Sequence, residues 1–321
     1  MNHMTTPATE RGSSKNYSTD VVVDPREAEA IRQSLYRTDK AAMGQILPTF
    51  CAQLSSADLE HFREQGYLAM NGLLTTDEVE DCKTALSDLA QRRIAWDTRV
   101  WSQQEPYFAQ GGQDARADDP ELRLRKLAFF VQLEPRLRHV SDHPRLRAVI
   151  DQLIRPGARM IQDMALLKPP FRGSEKPWHQ DAAYFDWTPL GGVVGTWIAL
   201  DEATLDSGCM QVIPGSHLDG PAPHFHVRDC QLADQRVQVR RAVTIPLQPG
   251  GILFFSGLLH HGTPPNMTAA RRRALQFHYA AAECRHMTIE QHGELFSSGG
   301  AYAGCRDWDL AAGTSRAVLT P

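Results

Sequence analysis

No stretch of this 321-residue chain approaches the roughly 18 consecutive apolar residues of a membrane helix, and the opening MNHMTTPATERGSSKNYSTD has no apolar core of a secretory leader. A cytoplasmic protein with no membrane partner is the expectation, and the final LTP is not a peroxisomal address. Blocks of positive charge are missing as well. The formal net charge is -4 and the one basic run is Arg271, Arg272 and Arg273, which leaves no electrostatic case for nucleic acid. Cysteine is sparse: Cys51, Cys82, Cys209, Cys230, Cys284 and Cys305 form no CxxC pair, which argues against a zinc ribbon or a thioredoxin-like centre and for free thiols in a reducing compartment. Internal repeats are absent, and nothing in the pattern bears on oligomeric state.

What is present suits a globular enzyme. Hydrophobic residues at 42% and charged residues at 22% allow a sizeable buried core. Residues 1–50 read as a tail and variable segment, partly disordered, because the first twenty are rich in Thr, Ser and Asn. Residues 51–321 read as a single catalytic domain. SSADLEHFREQG predicts a helix closing near Gly66, followed by a short strand, and Thr75 with Glu78 forms a capping box ahead of Val79, Cys82, Leu86 and Leu89 at helical spacing. The N-terminal third is therefore expected to be mainly helical. From about residue 158 to 285 the texture changes to short apolar or alternating runs punctuated by Gly and Pro: MIQDMALLK, VVGTWIAL, CMQVIP, VQVRRAVTIPL, GILFFSG and RALQFHYAA. That pattern predicts a mainly β fold, a double-stranded β-helix of the jelly-roll or cupin-like kind with N-terminal and flanking helices.

The chemistry concentrates in two places. In KPWHQDAAYFDW, His179 and Asp181 stand two apart, so on an extended strand both face one side. Two histidines and one carboxylate on one face of a metal are diagnostic of iron(II) oxygenases, which need the remaining positions for a co-substrate and dioxygen. GILFFSGLLHHGTPPN offers His260 and His261 for the third position, and strand alternation admits only one of them. The rival pair His217 and Asp219 lies in a Pro- and Gly-rich loop, His278 reads as a core histidine, and His224 and His226 read as surface loop groups. Zinc would accept the same ligands. A metal-bound 2-oxoglutarate also presents a distal carboxylate that requires a buried cation, and Arg272, which opens RRALQFHYA, supplies a bidentate fork. Alternation puts Arg272, Ala274, Gln276 and His278 on one face and turns Arg271 and Arg273 away. Trp178, Tyr184, Phe185 and Trp187 flank the HxD pair and are candidates for a pocket wall, and Arg172 or Lys176 for a cationic group at its mouth.

From about Ser55 to Ala282 the chain resembles the phytanoyl-CoA dioxygenase family of iron(II)- and 2-oxoglutarate-dependent oxygenases, through KPP ahead of WHQD, DSGCMQVIPGSH, and HGTPPN followed by the arginines. The resemblance implies that His179, Asp181 and His261 hold the iron, since His261 rather than His260 precedes Gly262 and Thr263 with Asn266 five residues on. It implies that Arg272 binds the 2-oxoglutarate carboxylate beside Thr263, with Trp197, Lys126 and Met164 near the co-substrate. Expected function follows: oxidation of a C–H bond of a small-molecule metabolite, with hydroxylation first, using dioxygen and releasing succinate and CO2. Desaturation, epimerisation or cyclisation is the alternative, and a non-catalytic cupin-like metal-binding module stands behind those. Asp181 speaks against halogenation, because related halogenases replace this carboxylate with a small residue.

Overall fold

The computed structural model describes residues 25–113 and 118–297, with two short paired segments at 308–309 and 314–315. The sequence expectation for residues 1–20 lies outside the described residues. Chain entry is through helix α1 (Pro25–Leu35) and strand β1 (Ile46–Leu47). Helix α2 (Ser56–Gln65) starts where expected, with Ser55 accepting from the Asp58 amide and Asp58 accepting from the Ser55 amide. It stops at Gly66, whose φ of 80° is left-handed and whose missing Cβ would lie 2.4 Å from His217 Nδ1. Strand β2 (Tyr67–Met70) follows, then α3 (Thr76–Ala90), capped by Thr75 and Glu78 and burying Val79, Cys82, Leu86 and Leu89.

The strands that follow, in chain order, are β3 (Trp101–Gln104), β4 (Leu124–Ala128), β5 (Arg159–Lys168), β6 (Lys176–His179), β7 (Trp187–Thr188), β8 (Val193–Ala199), β9 (Met210–Val212), β10 (His224–His226), β11 (Cys230–Leu232), β12 (Val243–Ile245), β13 (Ile252–Ser256), β14 (His261–Thr263), β15 (Arg272–Ala280) and the short β16 (Arg285–His286), which pairs with β7. Two sheets dominate. The larger has the order β1-β2-β13-β8-β15-β5-β4-β3 and the smaller β12-β9-β14-β6. This is the double-stranded β-helix that the punctuated runs predicted, with helices packed against the larger sheet.

Alternation along the central strands explains why their sequences are apolar throughout. In β13, Leu253 and Phe255 join Met210, Val212 and Ile245 of the smaller sheet, while Ile252 and Phe254 pack with the α3 side chains on the opposite face. Both faces of the larger sheet are thus buried, so a run such as ILFFS carries no polar alternation.

Three sequence expectations need correction. Residues 46–128 contribute four strands to the larger sheet besides the helices expected there: β1 pairs in parallel with β2, β2 with β13, and β3 and β4 extend the far edge beyond β5. Residues 25–47 are built onto the core rather than trailing from it: Tyr36 stacks on Trp178 at 5.8 Å between ring centroids, and Gln211 accepts from the Arg37 amide. Cys230 is disulfide-bonded, so the reading of six free thiols fails there, while Cys51, Cys82, Cys209 and Cys284 are free. Among the described residues no helix is long and apolar enough to cross a membrane.

Candidate active site

The mouth of the β-helix gathers the predicted residues. His179 ends β6 and pairs directly with His261, the first residue of β14. Asp181 lies past the end of β6 and opens a single 3-10 turn over Asp181–Tyr184, so the chain's bend as well as strand alternation brings it beside His179. The ligating atoms of His179, Asp181 and His261 all fall within 4.8 Å of one another, and the three residues are buried. His260 faces elsewhere, and His217 sits in a 3-10 turn with its Nε2 against the Arg63 carbonyl.

The hydrogen bonds show that a cation fits. His179 Nδ1 lies 2.8 Å from the Pro177 carbonyl oxygen and His261 Nδ1 2.9 Å from that of Leu259, which places the proton of each neutral ring on Nδ1 and leaves Nε2 a bare lone pair. Those lone pairs point at Asp181 Oδ1, at 3.1 Å and 3.5 Å. Two acceptors facing a carboxylate oxygen repel unless a positive ion sits among them. The second carboxylate oxygen is engaged separately: Gln276 donates to Asp181 Oδ2 at 3.0 Å and His278 Nε2 approaches it at 2.6 Å. Burial lowers the His179 pKa to about 3, so its ring is neutral near pH 7. Burial opposes ionisation of Asp181, yet the groups packed around its carboxylate, His261 and His278 first among them, hold its pKa well below the usual carboxylate range.

Arg272 occupies the same cavity wall. It is 1% exposed, and among the described residues its Nη1 meets only the Leu166 carbonyl at 3.3 Å and its Nε has no hydrogen-bond partner. Among the described residues it has no acidic partner within salt-bridge distance, whereas Arg273 is paired with Asp201 at 2.8 Å and Arg271 with Glu121 at 3.2 Å. The strand period predicted this division of the three arginines. Burial lowers the Arg272 pKa to about 10, which still leaves it charged near neutrality. Thr263, Met164 and Lys126 line the cavity beside it. Trp197 does not reach the wall: it is packed between the sheets behind Arg272, with the guanidinium carbon 5.2 Å from its ring centroid.

Other placements were less legible. Tyr184, Phe185 and Lys176 line the cavity, whereas Arg172 stacks over Tyr107 at 4.1 Å outside that wall and Trp178 donates to the Leu35 carbonyl. His224 is no surface group: it is buried and its Nε2 accepts from the Gln180 amide at 2.9 Å. Gln276 and His278 were placed on the Arg272 face by alternation, but their contact with Asp181 depends on a register across three strands that spacing does not encode.

The family model described as phytanoyl-CoA dioxygenase (PhyH) matches residues 62–274. This chain belongs to the phytanoyl-CoA dioxygenase family. Its relatives include phytanoyl-CoA dioxygenase domain-containing protein 1 of Danio rerio, 27% identical over 265 residues that cover 72% of this chain and 91% of the relative. Among solved structures, the non-heme alpha-ketoglutarate-dependent carbocyclase SnoK of nogalamycin biosynthesis superposes with a TM-score of 0.56 at 22% identity, covering 74% of this chain and 88% of its own. The epimerase SnoN, solved with Fe3+, alpha-ketoglutarate and nogalamycin RO, gives 0.55 at 23%, covering 72% and 84%. Both share the fold. The family's oxygenases work with iron(II), 2-oxoglutarate and dioxygen, and the donor set and the unpaired arginine of this family member fit the first two.

Proposed function

We propose that this chain is an iron(II)- and 2-oxoglutarate-dependent dioxygenase that hydroxylates a C–H bond of a small-molecule metabolite. The observation that carries the reading is Arg272, a buried cation with no acidic partner among the described residues, on the wall that also holds His179, Asp181 and His261. A metal site alone has no use for it. A co-substrate that chelates the metal at one end and carries a free carboxylate at the other does.

In this reading His179, Asp181 and His261 hold the iron, which when bound supplies the activation of dioxygen for C–H oxidation. Arg272 anchors the distal carboxylate, Thr263 and Met164 bound the co-substrate, Lys126 adds charge beside it, and Trp197 supports the guanidinium from behind. Gln276 and His278 keep Asp181 turned so that Oδ1 faces the histidines. Asp181 fills the position that a halide would need, which favours oxygenation over halogenation. Burial of the cluster excludes bulk water, so its electrostatic interactions act at reduced dielectric. The reaction balances as substrate, 2-oxoglutarate and dioxygen giving alcohol, succinate and CO2.

A metabolite screen for stimulated succinate release, followed by mass analysis of the product, tests this. The expected product is one oxygen atom heavier than its substrate and forms in step with succinate. A product two hydrogens lighter would replace hydroxylation with desaturation or ring closure, and one of unchanged mass with epimerisation. An iron-loaded protein that never turns over 2-oxoglutarate would be a cupin-like binding module instead.

A further inference from the structure

The cavity wall holds more positive charge than the co-substrate uses. Arg125, Lys126 and Lys176 all line it, and all three turn toward one carboxylate oxygen, Asp229 Oδ2, at 3.4, 3.6 and 2.8 Å. Asp229 itself is not part of that wall. The other acids nearby are committed or distant. Glu175 Oε1 accepts from Arg228 at 2.5 Å and Oε2 accepts from the Tyr36 hydroxyl at 2.6 Å, while Glu105 stands 3.9 Å from Arg125 and accepts from the Ser174 amide. One arginine and two lysines therefore share one close carboxylate in a buried setting, where charging all three without a further anion is costly.

Lys176 reaches this wall through an irregularity. It stands three residues before His179, so simple alternation would send the two side chains to opposite faces. The β6–β14 register shifts between His261 and Thr263, pairing His261 with His179 but Thr263 with Lys176. The extra residue in β6 turns Lys176 to the His179 side, a known use of bulges beside active sites. Its Nζ is fixed by the Tyr184 hydroxyl at 2.6 Å, and the Tyr184 ring packs edge-on against His179 at 5.8 Å between centroids.

We propose that Lys176, Arg125 and Lys126 form a subsite for an oxyanion of the substrate, a carboxylate or phosphate group, with Tyr184 and Phe185 receiving an adjoining apolar body. Assigning that anion to the oxidised molecule rests on the oxygenase reading above. Lys126 also stands near the expected co-substrate, so Lys176 and Arg125 carry the test.

The test uses the full chain loaded with Mn(II) and 2-oxoglutarate without oxygen, titrated calorimetrically with benzoate, phenyl phosphate and benzyl alcohol, which share one ring. At least one anion should bind about tenfold or more tighter than the alcohol, the scale of hydrogen bonds to charged groups. Whichever anion wins identifies carboxylate or phosphate. Lys176→Gln, with Arg125→Gln as a second variant, should abolish the preference while leaving 2-oxoglutarate affinity unchanged. Equal binding of all three probes, displacement of the anion by excess 2-oxoglutarate, or a preference that survives both substitutions would overturn the proposal. Failure to bind 2-oxoglutarate at all would instead strike the oxygenase reading, and the anion preference would then be read with Mn(II) alone.

Discussion

His278 Nε2 stands 2.6 Å from Asp181 Oδ2, and this contact decides which oxygen of the carboxylate is free. With Gln276 donating to the same atom, only Oδ1 is presented to His179 and His261. One strand, β15, thus carries the buried Arg272 and the two groups that orient the carboxylate, at alternate positions.

That relationship predicts a loss of metal affinity when His278 is removed. His278→Ala should weaken Fe(II) or Mn(II) binding about 10- to 100-fold, the range for outer-shell partners of metal ligands, and His278→Gln should recover part of it. Competition against a chromophoric chelator measures this, with circular dichroism confirming the fold. Equal affinity in all three proteins would remove the positioning role.

Arg272 should matter to the co-substrate and not to the metal. Loss of a buried charge-assisted partner costs roughly 2–5 kcal/mol, so Arg272→Gln should raise the KM for 2-oxoglutarate by about two orders of magnitude. Metal affinity should stay unchanged in the same protein. A normal KM would place the co-substrate carboxylate elsewhere.

Oxyanion binding should weaken with rising pH. Burial, with Lys176 and Arg125 adding repulsion against the pull of Asp229, lowers the Lys126 pKa to about 7. An anion favours the charged ammonium, so it raises this pKa on binding. Between the free and bound values binding takes up a proton, and affinity falls as pH climbs above about 7. Calorimetry of the benzoate and phenyl phosphate titrations in buffers of different ionisation enthalpy should register proton uptake at pH 8. Its absence there would detach Lys126 from the subsite.

Away from the site, Thr75→Ala removes one arm of the α3 capping box and should cost about 1 kcal/mol. Thermal unfolding should shift downward by a few degrees at most, with 2-oxoglutarate affinity unchanged.

The sequence-readable parts of this protein are those set by local periodicity. Thr75 with Glu78 marked the start of α3, Gly66 marked the end of α2, and a period of two separated Arg272 from its charged neighbours. Long-range pairing was not readable. YLAM is too short and too uniformly apolar to announce that it pairs with β13, and only Val243–Ile245 of VQVRRAVTIPL became strand because a 3-10 turn over Val239–Arg241 interrupts it. His224 looked like a loop histidine because nothing local marks its bond to the Gln180 amide. Arg125 and Asp229 drew no notice for the same reason: 104 positions apart, they meet only in the folded chain.

The most direct test of the central claim is anaerobic addition of Fe(II) and then 2-oxoglutarate to the purified chain, followed by visible absorption. A weak charge-transfer band that requires both additions and disappears in Asp181→Ala is the predicted result. An iron-loaded protein that shows no band at saturating 2-oxoglutarate would contradict it.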